Sequence, residues 1–378
     1  MSEQPDYILY GGDHSLFTGK ARAYLRYKGL DFEERTATRA IYKEIILPNV
    51  GAPIVPVLYV PATGEYVQDT TDIIDFLEKR HPESSVYPEG PRQRLVALLL
   101  ELFGDEWLVI PAMHFRWSVI DQQYDFIMRE FGRMSAPDAT EEEQIAFGER
   151  TSKPFRGSIF AIGINEQTGP AIEASYLEFL DQLNTHLSQH DYLLGSRPSI
   201  GDYGFMGPLY AHLARDPVPK AIMQERAPAV YAWVERMNAP ESLTGEFLAD
   251  DEVPDTLLPI LETMFREQLP DVLDVVAQNA AWLADNPGGN VPRYLGMHAF
   301  TVGETQGERF IHSYAQWLYQ RPWAHFHGLE GDDRQAAAEL LTHVNGLEAM
   351  EADIPTWLAR KSGQLELVES ERVNANSG

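Results

Sequence analysis

The chain has 378 residues, 57 acidic side chains against 30 basic ones, and no cysteine. A formal charge of -27 argues against a nucleic-acid binder, whose affinity rests on Lys and Arg neutralising phosphates, and against docking on an anionic membrane. Without cysteine there is no disulfide, thiolate metal site or cysteine nucleophile, so any thiol chemistry must use a thiol carried by a ligand.

The length predicts two or three domains. The start, Met1 to Asp6, has no basic segment followed by an apolar one, and Leu95–Leu102 is too short to span a bilayer and is broken by Glu101. A soluble, cytoplasmic protein without a membrane partner is expected.

Residues 5–82 read as a small α/β unit. Tyr7–Tyr10 is an apolar strand running into Gly11-Gly12, and Phe17–Lys28 has helical spacing up to Gly29. Phe32–Arg35 is a second strand, and Arg39–Leu47 is helical up to Pro48. Ile54–Val60 is a β-branched third strand carrying Pro56, where a cis bond is possible. Glu65–Gln68 is a fourth strand and Thr71–Lys79 a helix.

Residues 91–240 read as all-α. Pro91 opens a long helix through Trp117 with a possible interruption at Pro111. Residues 132–171 look loop-like, apart from a helix at Glu141–Arg150. Ile172–Gln189 is amphipathic. Ser199-Ile-Gly-Asp202 has the hydroxyl-to-carboxylate spacing of a capping box and opens the Tyr203–Ala214 helix; Ala229–Met237 is another.

Residues 241–378 read as a mostly helical extension behind the acidic run Asp250-Asp-Glu252. A helix over Leu257–Leu283 breaks at Pro270, Met297–Val302 is a strand, and Arg309–Trp317 and Arg334–Val344 are helices. Ser370–Gly378 is polar and expected to fray. His325-x-His327 fits no strong metal motif, so no metal is expected.

The element order and five local motifs resemble the cytosolic glutathione transferase family. They are Ser15-Leu-Phe-Thr-Gly-Lys-Ala-Arg22, Val55-Pro-Val-Leu58, Asp69-Thr-Thr-Asp-Ile-Ile-Asp-Phe-Leu77, Leu194-Gly195 through Asp202, and Pro228–Arg236 with its Trp-x-x-Arg. The resemblance implies a thioredoxin-like N-terminal glutathione-binding domain, then an all-α substrate-binding domain. It covers Tyr7 to about Pro240 and leaves the extension unaccounted for.

The resemblance also implies a chemistry. Glutathione is mostly thiol at neutral pH, and a donated hydrogen bond or a helix N-terminus lowers its pKa. Ser15 stands where serine-type members place the activating hydroxyl; it could equally only cap its helix. Tyr10 and Thr18 are rival donors. Val55, beside Pro56, would pair with the peptide backbone, and Asp69 and Thr70 would hold the γ-glutamyl end. Ile54 stands where a basic residue often meets the glycine carboxylate, so Lys43 or Arg39 is expected to substitute. An apolar electrophile would lie against Trp107, Met113, His114 and Trp117. Lys20, Arg22 and Asp202 are expected to be structural.

The expected protein is thus a homodimeric, detoxification-type transferase with glutathione as co-substrate. It would perform conjugation, or ether or halide cleavage. The competing expectation is a non-catalytic binding or regulatory protein that keeps the fold.

Overall fold

The computed structural model describes residues 4–239, 245–361 and 363–368. The expected boundary at 240/241 and the polar tail Ser370–Gly378 lie outside them. No helix among the described residues is long and apolar enough to cross a membrane.

The N-terminal unit is a four-stranded sheet of order β2-β1-β3-β4. β1 (Tyr7–Gly11) runs parallel to β2 (Phe32–Thr36) and antiparallel to β3 (Val57–Val60), which pairs with β4 (Glu65–Gln68). The period of two sorts β1 cleanly. Tyr7 and Leu9 join the main core with Leu25 and Ile74, from the Leu16–Tyr27 and Thr70–Arg80 helices. Ile8 and Tyr10 face the other side with Ile46 and Val50. This is the thioredoxin-like architecture, and an all-α domain follows it.

The expected helix at Glu141–Arg150 is present as Glu141–Thr151, and the loop expectation for the rest of the stretch 132–171 is corrected. Helices Tyr124–Ser135, Glu141–Thr151 and Lys153–Gly157 run through it. Gly132, in a stretch read as loop, and Gly148, inside the expected helix, both serve a helix crossing. A Cβ on Gly132 would lie 1.9 Å from the Gln144 carbonyl oxygen, and one on Gly148 would lie 1.9 Å from that of Met128. Only hydrogen fits at either contact.

The all-α domain is pinned by buried polar groups. Asp202 accepts from the Ser199 N–H at 2.8 Å, the Leu193 N–H at 3.0 Å and Trp233 Nε1 at 3.2 Å, as a fully buried capping box. Arg116 forms a buried bidentate pair with Asp216 and donates to the His14 carbonyl at 3.1 Å, which anchors the loop before Ser15.

The C-terminal region is mostly helical, with two hairpins. Leu258–Thr263 passes through a wider π-type turn into Leu269–Asp285, with Pro270 in its first turn. Residues 309–312, expected helical, instead end β6 (Thr305–His312), which pairs with β5 (Tyr294–Val302) around Gly303 at φ 57°. The alternating burial of Arg309 and Ile311 explains this: period two wins over the helical reading. The helix starts at Tyr314 and runs to Gly328. A second hairpin, β7 (Trp357–Lys361) and β8 (Gln364–Val368), was not foreseen.

The main core runs without a break from Tyr7 through Phe103 and Phe205 to Ile354. The extension is therefore packed into the same interior as the two preceding domains.

Candidate active site

The first turn of the Leu16–Tyr27 helix, the segment before β3 and the start of the Thr70–Arg80 helix converge on one cavity of about 420 Å³. That lies within the roughly 300–1,000 Å³ usual for small-ligand sites. Phe17, Val55, Pro56, Asp69 and Thr70 wall one side, and Asp105 and Glu106 also line it. The extension closes the rest with Val291, Arg293, His312, Tyr314, Arg360 and Leu365.

Val55 is joined to Pro56 by a cis peptide bond. Among the described residues, no backbone group pairs with the N–H or C=O of Val55. Both are available to an extended peptide.

Asp69 caps the next helix from an uncommon backbone conformation, φ 86° and ψ 137°. Its Oδ1 accepts the Thr71 N–H at 2.9 Å, and its Oδ2 accepts the Tyr314 hydroxyl at 2.7 Å. Arg360 approaches the same Oδ2 at 4.0 Å and bonds the Gln68 carbonyl at 2.6 Å and Asp72 at 2.9 Å. The Thr70–Arg80 helix thus presents its N-terminal end, where a helix dipole favours negative charge, beside the Asp69 carboxylate.

Ser15 is the N-cap of the Leu16–Tyr27 helix and is half-buried. Its Oγ accepts the Thr18 N–H at 3.3 Å. That bond uses a lone pair and leaves the O–H free to donate. Ser15 is not itself a wall of the cavity, but it lies two residues before Phe17, which is.

The other candidates fall elsewhere. Tyr10 is buried on the face of the sheet opposite the Leu16–Tyr27 helix, because alternation along β1 turns it away. Thr18 is fully buried beneath the loop, with its hydroxyl accepting the Gly12 N–H at 3.4 Å. Lys43 and Arg39 are exposed and do not line the cavity. The cation lining it without an acidic partner among the described residues is Arg293.

The expected electrophile wall is core instead. Trp107 is buried against Phe300, ring centroids 6.2 Å apart, and Trp117 against Phe131 at 5.5 Å. His114 bonds Glu173 at 2.9 Å and Ser118 at 3.1 Å, and Met113 packs against the same core. None of the four lines the large cavity. His325 and His327 each bond a backbone carbonyl, of Pro91 at 2.8 Å and Met350 at 2.9 Å.

A buried charge network underlies the site. Lys20 Nζ lies 2.8 Å from Glu101 and 2.6 Å from Asp105. Arg321 bridges Glu101 and Asp75 at 3.2 and 3.1 Å. Burial, reinforced by nearby Glu101, pushes the Asp105 carboxyl up to about 8 against the opposing pull of Lys20. Glu101 is held low despite burial, because it has two cations and the Thr71 hydroxyl. Sequence reasoning missed Asp105, although Glu101 inside an apolar run was a signal: a buried carboxylate requires a partner. Tyr314, Arg360 and Arg293 had no local signal.

Residues 9–85 match the family model for the glutathione S-transferase N-terminal domain, and residues 165–241 match that for its C-terminal domain. The chain carries both domains of the glutathione S-transferase family. No curated protein matches it. Among solved structures, the transferase-like part is similar to the beta-etherase LigF from Sphingobium sp. strain SYK-6. That match has 20% identity, covers 63% of this chain and 97% of the other, and has a TM-score of 0.46. A glutathione S-transferase from Rhodospirillum rubrum F11 shows 21% identity over 66% and 96% of the two chains, TM-score 0.41. One from Methylobacterium radiotolerans JCM 2831, in complex with glutathione sulfonate, shows 21% over 63% and 92%, TM-score 0.40. The part of the chain after these matches supplies the remaining walls of the cavity.

Proposed function

We propose that the protein is a glutathione transferase-like enzyme in which Ser15 stabilises glutathione thiolate for attack on an apolar electrophile. The observation that carries this reading is the single cavity joining Phe17, the Val55-Pro56 peptide and the Asp69–Thr70 helix start. An extended peptide pairing with Val55 has its two ends directed toward different chemistry. The Asp69–Thr70 end suits an ammonium and a carboxylate together. Arg293, not Lys43, is the cation for the glycine carboxylate. The apolar walls Phe17, Val291, Leu365 and Pro292 suit the electrophile.

Ser15 has a free O–H donor and sits at a helix N-terminus, two influences that favour thiolate over thiol. The products are a conjugate or, where the attacked carbon carries an ether or halide, a cleaved bond. In this reading residues 5–82 bind glutathione, while 91–240 and 241–378 complete the walls. Pairing into a homodimer belongs to the same reading and is checked by light scattering.

Calorimetric titration with glutathione, paired with turnover of a general aryl electrophile, tests the proposal. Wild type binds and conjugates; Ser15→Ala binds with similar affinity and turns over about 10- to 1,000-fold more slowly. No binding at millimolar glutathione sinks the reading. Binding with no turnover on any electrophile favours a non-catalytic carrier, a reading supported by the way Tyr314 and Arg360 already engage the acidic end.

A further inference from the structure

Among the described residues, His312 is the histidine that lines the cavity. It ends β6, and its position is fixed from several sides. Tyr294 lies opposite it in the hairpin register, and the buried Ser313 that follows bonds the Pro292 carbonyl at 2.7 Å. Tyr294 and Tyr314 stack on the imidazole, with centroids 5.4 and 6.0 Å away and each ring 27° from parallel.

Nδ1 of His312 lies 3.2 Å from a carboxylate oxygen of Glu106. Glu106 lines the same cavity from the turn Phe103–Trp107 and has no other hydrogen-bond partner among the described residues. An ionised carboxylate only accepts, so Nδ1 carries the N–H of this pair. Nε2 is then the ring atom that can gain or lose a proton. It has no hydrogen-bond partner among the described residues and is not a buried atom. His114, by contrast, has both ring nitrogens engaged, by Glu173 and Ser118, as a packed histidine does. One nitrogen held by a carboxylate and the other left accessible beside a cavity is what proton transfer to a ligand requires.

We propose that His312, held by Glu106, is the general acid that protonates an oxygen leaving group, so that the site is built for ethers and not for halides. The inference rests on the glutathione reading and decides which of its two bond cleavages the cavity serves. Halide departs as a stable anion, whereas the oxygen of an ether departs readily only when a proton reaches it. In the step, the thiolate sulfur forms a bond to carbon and the C–O bond breaks. Its electron pair goes to the oxygen, which takes the Nε2 proton of the charged imidazole. The products are a thioether, a neutral phenol or alcohol, and neutral His312. Solvent returns a proton to His312 and receives the one lost by the next glutathione thiol, so no oxidant or reductant is consumed.

The test compares phenacyl chloride with phenacyl aryl ethers of graded phenol acidity, at saturating glutathione, on the full chain. The same carbon is attacked in all of them, and only the ethers call for a proton. Wild type is expected to cleave the ethers at rates that depend weakly on phenol acidity. His312→Gln is expected to lower ether cleavage about 100- to 10,000-fold, far more than chloride displacement, and to make it depend steeply on phenol acidity. Glu106→Gln is expected to lower the same ether-to-chloride ratio by a smaller factor. Equal losses on both substrates in His312→Gln, or a weak dependence retained there, overturn the inference and leave the glutathione reading standing. Wild type that displaces chloride but cleaves no ether also overturns it. No turnover of either substrate, with no glutathione binding, overturns both. Should His312→Gln not fold, the wild-type dependence on phenol acidity decides alone, and a steep one overturns the inference.

Discussion

Tyr314, in the extension, donates its hydroxyl to Asp69 in the N-terminal unit at 2.7 Å. The two residues are 245 positions apart. Asp69 caps its own helix with one oxygen and is fixed from above through the other. The extension is thereby a wall of the same site and a restraint on one of its residues.

Tyr314→Phe removes that restraint without emptying the space. A lost hydrogen bond to a charged group costs about 1.5–3 kcal/mol. The expected outcome is a roughly tenfold rise in KM for glutathione with kcat nearly unchanged. Steady-state kinetics at saturating electrophile checks it; a fall in kcat with constant KM contradicts it.

Arg293 lines the cavity with no acidic partner among the described residues, whereas Lys43 does not line it. Arg293→Ala should weaken glutathione by about 1–2 kcal/mol. It should leave a glutathione analogue amidated at glycine almost unaffected. Lys43→Ala should change neither. Calorimetry with the two ligands measures this, and an equal loss for both is the opposing result.

Asp202 satisfies two backbone amides and Trp233 while wholly buried. Asp202→Ala leaves these donors unpaired, at a cost of about 3–5 kcal/mol. Urea unfolding followed by tryptophan fluorescence should show that loss. Asp202→Asn, which keeps one acceptor, should lose less.

Asp105 also predicts a pH dependence of stability. Its folded carboxyl is raised to about 8, while an unfolded Asp titrates near ~3.9. Between these values the folded state binds the extra proton, so the contribution of this group to stability falls as pH rises and levels off above about 8. Thermal melts of wild type from pH 5 to pH 8 should show this downward component, and Asp105→Asn should lack it. Identical pH profiles for the two proteins contradict the assignment.

Much of the fold was legible because its determinants are local. The period of two in β1, the Val55-Pro56 strand and the Ser199–Asp202 box each fit within a few residues. So do Ser15 and the Asp69-Thr70 pair at their helix starts. The failures have equally specific reasons. Gly132 reads as a loop residue, since a glycine that permits a turn and one that permits a helix crossing look alike without the partner helix. Trp107 and His114 suit a ligand wall as well as a core, and only packing against Phe300 and Glu173 separates the two.

The sequence by itself determined a thioredoxin-like unit, an all-α partner, a capped first helix with Ser15 and a chain that must borrow any thiol. Periodicity, capping and the absence of cysteine act over short range or over none. Tertiary structure alone decided that Tyr314, Arg360 and Arg293 close the cavity and that Asp105 is buried beside it with one oxygen unmatched among the described residues. Those contacts join residues far apart in the chain. Their energy comes from burying charge among specific neighbours, and no short stretch of sequence records which neighbours those are.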